Sequence, residues 1–253
     1  MSPKLQLLAI KKKLRGRQVL DGVDLDVAPG RSLVVIGGSG VGKSVTLKCA
    51  LGLMKPDGGK VLVDGAEIAR MARRAREDVM RKFGMLFQGG ALFDSLSVWE
   101  NIAFRLIYAD KLPRKLARER AIETMRKVRL AAEFADVRPT ELSGGMQKRA
   151  GLARAIIAQP DILFFDEPTT GLDPITADAI NDLIVEMVRE LGCAAISITH
   201  DMVSARKIAD EIALLHAGKI VWRGPANTID ASGNAMVDQF VAGRADGPIQ
   251  ALV

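Results

Sequence analysis

Residues 37–44 read Gly-Gly-Ser-Gly-Val-Gly-Lys-Ser, and no other stretch limits the fold so sharply. The octet follows an apolar run, Ser32–Ile36, and precedes a helix-compatible one, Val45–Gly52. G-x-x-x-x-G-K-S between a strand and a helix is a phosphate cradle. Gly37, Gly38, Gly40 and Gly42 let the backbone curl, so that successive N–H groups, Ser39 and Val41 included, face the phosphates of a nucleotide. The helix N-terminus adds its partial positive charge. Lys43 would reach the β- and γ-phosphates, and the Ser44 hydroxyl would help hold Mg²⁺. By chance alone the pattern arises in about one chain of this size in a hundred at average composition. The strand–loop–helix setting lowers that further.

Apolar runs bounded by Gly, Pro or Asp predict buried strands at Ser32–Ile36, Val61–Val63, Phe83–Phe87, Ile162–Phe165 and Ala194–Thr199. Strands alternating with helices imply a mainly parallel sheet in an α/β fold. Glu211–His216 and Lys219–Arg223, split by Ala217-Gly218, predict a late hairpin. From Ala91 to Gln159 the strand signal disappears, and Ile122, Met125, Val128 and Leu130 recur at helical spacing. That stretch reads as a helical insert. Residues 1–90 and 160–230 then form the α/β core, 91–159 the helical subdomain and 231–253 a C-terminal tail. The basic run Arg70–Lys82 is interrupted by Glu77 and Asp78 and reads as a solvated helix face; lipid headgroup contact is the sharper alternative.

Ile162–Phe165 ends in Asp166 and Glu167. Asp166 would stand at the sheet's C-terminal edge beside the cradle and organise the Mg²⁺ shell. Glu167 would polarise the attacking water, because phosphoryl transfer needs a base in line with the γ-phosphate. Paired acids after a strand are a weak signal alone; the upstream cradle strengthens it. His200 closes Ala194–Thr199 and would donate to the γ-phosphate, whereas His216, inside the hairpin, has no such placement. Gln88 follows Phe83–Phe87, where its amide would reach Mg²⁺ or water.

A second glycine-rich site, Leu142-Ser143-Gly144-Gly145-Met146-Gln147-Lys148-Arg149, precedes the helix-compatible Ala150–Ala158. Its Gly pair admits an anion to backbone amides, and Ser143 offers a hydroxyl at a helix N-terminus. A helix cap is the plainer reading. Two phosphate-directed loops but one complete cradle favour pairing, with Ser143, Gly144 and Gly145 covering the nucleotide of another copy in a two-fold, head-to-tail dimer.

Composition narrows the partners. Formal net charge is +6, which favours anionic partners in general. Aromatics are only 4% and are not interleaved with basic runs, so no nucleic acid partner is expected. Cys49 and Cys193 lie far apart in no metal spacing and read as buried core residues. Met1-Ser2-Pro3-Lys4 lacks a signal-peptide core, and no run approaches the ~18 apolar residues of a membrane span. A cytosolic chain is expected, meeting the membrane only through a partner.

Taken together, these residues resemble the nucleotide-binding subunits of ABC transporters over nearly the whole chain. Gly37–Ser44 resembles Walker A, Gln88 the Q-loop, Leu142–Met146 the signature with Met146 for the usual Gln, and Ile162–Glu167 Walker B. Gly171-Leu172-Asp173 resembles the D-loop and His200 the switch histidine. The resemblance implies a P-loop NTPase fold with a mainly parallel sheet, an antiparallel β part and a helical subdomain. It also implies an ATP-hydrolysing dimer that closes on ATP with Mg²⁺, touches nucleotide through Asp173, and drives integral membrane permease subunits from the cytoplasmic face of the inner membrane.

The family usually stacks adenine on an aromatic upstream of Walker A. Ile10–Gly16 holds none, and Leu14 offers only apolar contact, so a looser preference for adenine is expected. Within the family, Phe83–Phe93, Asp173–Thr176 and the tail Gln239–Gly243 with Asp246–Ile249 are similar to the Mla (maintenance of lipid asymmetry) phospholipid-transport ATPases. That resemblance implies phospholipid transport between inner and outer membranes, a tail that reaches the neighbouring subunit, a small accessory regulatory subunit and periplasmic lipid-binding subunits. The alternatives are an ABC importer for another solute and a soluble ATPase of iron–sulfur assembly type.

Overall fold

A computed structural model describes residues 2–250; Met1 and the last three residues of the tail lie outside the described residues. Strands β1 (Leu5–Leu14) and β2 (Arg17–Val27) open the chain, followed by β3 (Ser32–Ile36) and α1 (Lys43–Ala50). Next come β4 (Gly58–Val63), β5 (Ala66–Glu67), α2 (Arg73–Met80) and β6 (Phe83–Leu86). Helices α3 (Val98–Ile102), α4 (Phe104–Tyr108), α5 (Arg114–Lys127) and α6 (Gly144–Ile156) then run without a strand among them. The remainder is β7 (Ile162–Asp166), α7 (Pro174–Leu191), β8 (Ala194–Thr199), α8 (Met202–Ile208), β9 (Glu211–His216), β10 (Lys219–Pro225) and α9 (Ala235–Val241).

Six strands form one sheet in the order β10-β9-β3-β8-β7-β6, parallel except for the terminal hairpin β9–β10. A second, antiparallel sheet runs β2-β1-β4-β5. Parallel strands covered on both faces read as continuous apolar runs, which is why Ser32–Ile36 and Ile162–Phe165 were visible in the sequence. Their alternation separates two cores. Ile162 and Phe164 face a core shared with Leu5, Ile10, Leu20 and Leu47, while Leu163 and Phe165 face the helices beside Met125 and Leu152.

Several expectations change. The sequence placed no strand upstream of Ser32, yet β1 and β2 are the longest in the chain. Their register shifts at Leu7/Ile10 and Ile10/Lys11, and Ala9 takes φ 49°, so no clean period of two survives. Phe87 lies beyond the end of β6, and the first helix runs 43–50 rather than 45–52. The helix expected at Ala150 starts at Gly144: Ser143 is its N-cap and accepts from the Met146 N–H at 3.3 Å. Gly144 and Gly145 are thus the first turn of a helix rather than a loop. Within the basic segment Arg70–Lys82 only 73–80 is α-helical, as α2, and that helix buries no residue. Both cysteines are buried and free. In the tail, the amide of Gln239, 4% exposed, donates to the carbonyls of Arg244, Ala245 and Ile249 and accepts from the Ile249 N–H. No helix among the described residues is long and apolar enough to cross a membrane.

Candidate active site

Four parallel strands end level. Ile36 of β3 pairs with Thr199 of β8, Asp166 of β7 with Ile198, and Leu86 of β6 with Phe165. The residues that follow them therefore emerge side by side at the carboxyl edge, where open α/β sheets bind ligands. A cavity of about 430 Å³ there is lined by Ser39, Lys43, Ser44, Gln88, Glu167 and His200, with Leu14 and Val19 along its wall. Its size suits a small-molecule ligand.

The cradle is bent by conformations that side chains resist. Gly42 caps α1 at φ 112°, and a Cβ there would meet Leu20 Cδ2 at 2.8 Å and the Val19 carbonyl at 3.0 Å. The antiparallel sheet thus supports the loop from below. Lys43 is 8% exposed, and its Nζ donates to the carbonyls of Gly37 at 2.7 Å and Gly38 at 2.9 Å. Burial lowers its pKa from the usual lysine range, with Glu167 and Asp166 pulling the other way. A desolvated ammonium held in place by two cradle carbonyls is a strong attractor for phosphate.

Glu167 sits at φ 48°, a left-handed conformation that costs a non-glycine residue about 1–2 kcal/mol. Its N–H is held by the Ile198 carbonyl at 3.0 Å. Its carboxylate accepts from Thr170 Oγ1 at 3.1 Å and Thr199 Oγ1 at 3.2 Å, and His200 Nδ1 lies 3.0 Å away. Glu167 and His200 are therefore in direct contact. Burial, then the neighbouring Glu167, raises the Asp166 carboxyl above its usual range, a cost that a cation beside it would relieve. The Ser44 hydroxyl, Asp166 carboxylate and Gln88 amide are hard oxygen donors with a single carboxylate. That set fits Mg²⁺, which keeps waters and takes phosphate oxygens as further ligands.

Lys148 was not singled out in the sequence. It is 5% exposed on α6, and its Nζ donates to the backbone carbonyl of Gln88 and, at 3.2 Å, to that of Glu167. The available signal was a cation at i with buried Leu152 and Ala155 at i+4 and i+7, on an apolar stripe. Thr170 and Thr199 were missed as well, since nothing local distinguishes a threonine that orients a carboxylate.

Asp166, next to Glu167 at the end of β7, is not among the residues lining this cavity, and neither are Ser143, Gly144, Gly145 and Asp173, which lie at the starts of α6 and α7. Asp173 caps α7, accepting from the N–H groups of Ile175 at 3.1 Å and Thr176 at 3.0 Å. Gly145 packs so close to α7 that a Cβ would lie 2.6 Å from Thr176 Cγ2, which joins the two segments into one surface. Nearby, a cavity of about 340 Å³ is lined by Gly171, Leu172, Pro174, His200 and Val203. Ile175 and Val203 are 84% and 70% exposed.

The ABC transporter family model matches residues 20–170. The intermembrane phospholipid transport system ATP-binding protein MlaF of Escherichia coli K12 is 39% identical over 233 residues, 92% of this chain and 86% of that protein. A probable ribonucleotide transport ATP-binding protein, mkl of Mycobacterium leprae, is 34% identical over 98% of this chain and 72% of that protein. Among solved structures, the dimeric post-hydrolysis state of the ATP-binding cassette MJ0796 with ADP and Pi superposes with a TM-score of 0.79 at 30% identity, covering 88% of this chain and 98% of that one.

Proposed function

The chain belongs to the ABC transporter family of ATP-binding proteins, and from that premise we propose that it powers phospholipid transport between inner and outer membranes. The observation that carries the cargo is the 39% identity to MlaF across 92% of the chain. In this reading Lys43 and the Gly37–Gly42 amides bind the ATP phosphates, and Ser44, Asp166 and Gln88 hold Mg²⁺ when it is bound. The ion would neutralise phosphate charge. Glu167 takes the proton of the attacking water. His200, released from Glu167, donates to the γ-phosphate.

The nucleotide is closed over by a second copy of the chain, whose Ser143, Gly144, Gly145 and Asp173 approach it head to tail. Their position outside the cavity of their own chain supports this, as do the exposed Ile175 and Val203 on the adjoining surface. The helical region and the Gln88–Phe93 segment transmit closure to permease subunits. Phe93, Phe104 and Tyr108 stack at 4.8 and 4.6 Å, with Phe93 and Tyr108 nearly half exposed, which suits an apolar docking site. The chain would then sit peripherally on the cytoplasmic face of the inner membrane, with an accessory subunit and periplasmic lipid-binding subunits completing the assembly.

Resemblance to mkl supports a second reading, transport of another solute. Reconstitution of the chain with its co-purifying permease in liposomes separates the two. Phospholipid cargo is expected to raise ATP turnover by about 5-fold or more, and ribonucleotides to leave it unchanged; the reverse pattern contradicts the lipid assignment. Absence of any permease would favour a soluble assembly ATPase.

Base recognition yields a further expected result. With Leu14 in place of a ring, discrimination between ATP and GTP should stay small. Leu14→Trp should tighten both nucleotides by about 5-fold or more, as base–aromatic stacking is sequence-tolerant. Competition against a fluorescent nucleotide measures this, and unchanged affinity would remove Leu14 from the base site.

A further inference from the structure

Three cation-to-carbonyl contacts tie α6 to the segment after β6. Besides the Lys148 bond to the Gln88 carbonyl, the Arg154 guanidinium donates to Gly90 O at 2.6 Å and Ala91 O at 2.7 Å. Glycines let the helix approach: a Cβ at Gly151 would lie 2.8 Å from Leu86 Cδ1 and 3.4 Å from Gly90 Cα. Among the described residues Arg154 donates only to this segment, whereas Lys148 reaches it and Glu167 at once. Its ammonium is the side-chain donor to the Glu167 carbonyl, at the residue whose backbone is left-handed.

We propose that Lys148 is a positioning residue for hydrolysis, its buried ammonium holding the strained Glu167 backbone and the Gln88 segment in one fixed relation. This rests on Glu167 as the base, and deepens that reading. A left-handed glutamate persists only where its surroundings over-determine it. The Ile198 carbonyl fixes one of its peptide groups; the other is held by the Thr170 N–H at 3.3 Å and by Lys148, the one charged donor to it among the described residues. Without the ammonium, both carbonyls lose a charge-assisted partner in a buried site, and the Glu167 peptide can relax toward ordinary φ. The carboxylate would then swing off the line to the γ-phosphate, whereas Lys43 and the cradle, on β3 and α1, stay in place. The link also makes the base sensitive to any movement of the Gln88 segment.

The prediction is a split between turnover and binding. Lys148→Met should lower kcat by about 10–100-fold, the loss expected for one charge-assisted bond, with KM for ATP within about 3-fold. Lys148→Arg should recover most of that loss. The decisive readout is a cycle with Glu167→Gln in single-turnover assays. A residue acting through Glu167 adds nothing once the base is gone, so K148M/E167Q should be no slower than E167Q. A purely structural role would multiply the two losses and lower ATP binding and thermal stability together. Lys148→Gln, which keeps a neutral donor, serves the same cycle if the Met variant does not fold. Turnover of K148M equal to the unsubstituted chain, or multiplicative losses in the cycle, would overturn the proposal alone. Near-normal turnover of E167Q would overturn the base assignment, and the proposal with it.

Discussion

Glu167→Gln is expected to slow ATP turnover by about 10²–10⁴-fold, the usual contribution of a positioned general base, while ATP affinity changes little. The substitution conserves size and keeps an acceptor for Thr170 and Thr199, which hold the carboxylate at 3.1 and 3.2 Å. The cradle is untouched, since Lys43 is held by the Gly37 and Gly38 carbonyls. Removing a negative charge that acts on Lys43 favours phosphate binding. Steady-state phosphate release with nucleotide titration measures both halves. Turnover within a few-fold of the unsubstituted chain would take the base role from Glu167.

Ser143→Asp is expected to abolish hydrolysis by a different route. Aspartate caps a helix as well as serine does, so α6 should keep its start and the chain its stability. In the proposed pairing it also places a carboxylate where the partner's γ-phosphate would be received. Two like charges about 4 Å apart repel by roughly 4 kcal/mol at an effective dielectric of 20, or about 10³-fold. Hydrolysis should fall by two orders of magnitude or more, with ATP binding to the single chain unaltered. Normal activity in the variant would count against a site shared between two copies. Weakened binding in the single chain would place Ser143 at its own cradle instead.

The legible parts were those set by strong local constraints. Gly37–Ser44 is readable because Gly37, Gly40 and Gly42 take φ of 153°, 76° and 112°, where side chains are strained, and a Gly42 Cβ would also clash with Leu20 and Val19. The parallel strands are readable because burial on both faces leaves unbroken apolar runs; Ala194–Thr199 matches β8 residue for residue. Once those strands are placed, their level ends bring Lys43, Gln88, Glu167 and His200 to one cavity. The antiparallel sheet was not legible in β1 and β2, where Lys11-Lys12-Lys13 and a bulge erase the period. Nor was Lys148, whose role depends on two carbonyls distant in sequence, 60 and 19 residues away. The Gly144-Gly145 pair misled in a specific way. Glycines suggest a loop, but the Ser143 cap was strong enough to start the helix at once. Their N–H groups still lie at a helix N-terminus, so the anion-directed reading keeps its physical basis while the element changes.

Closure of two copies on ATP is tested most directly by the solution mass of the slow Glu167→Gln variant, measured by light scattering with and without nucleotide. Pairing through a shared site predicts a shift from one chain to two on adding ATP, and no shift for S143D/E167Q, which still binds ATP. A single-chain mass with ATP bound, or equal pairing of the two variants, would contradict it.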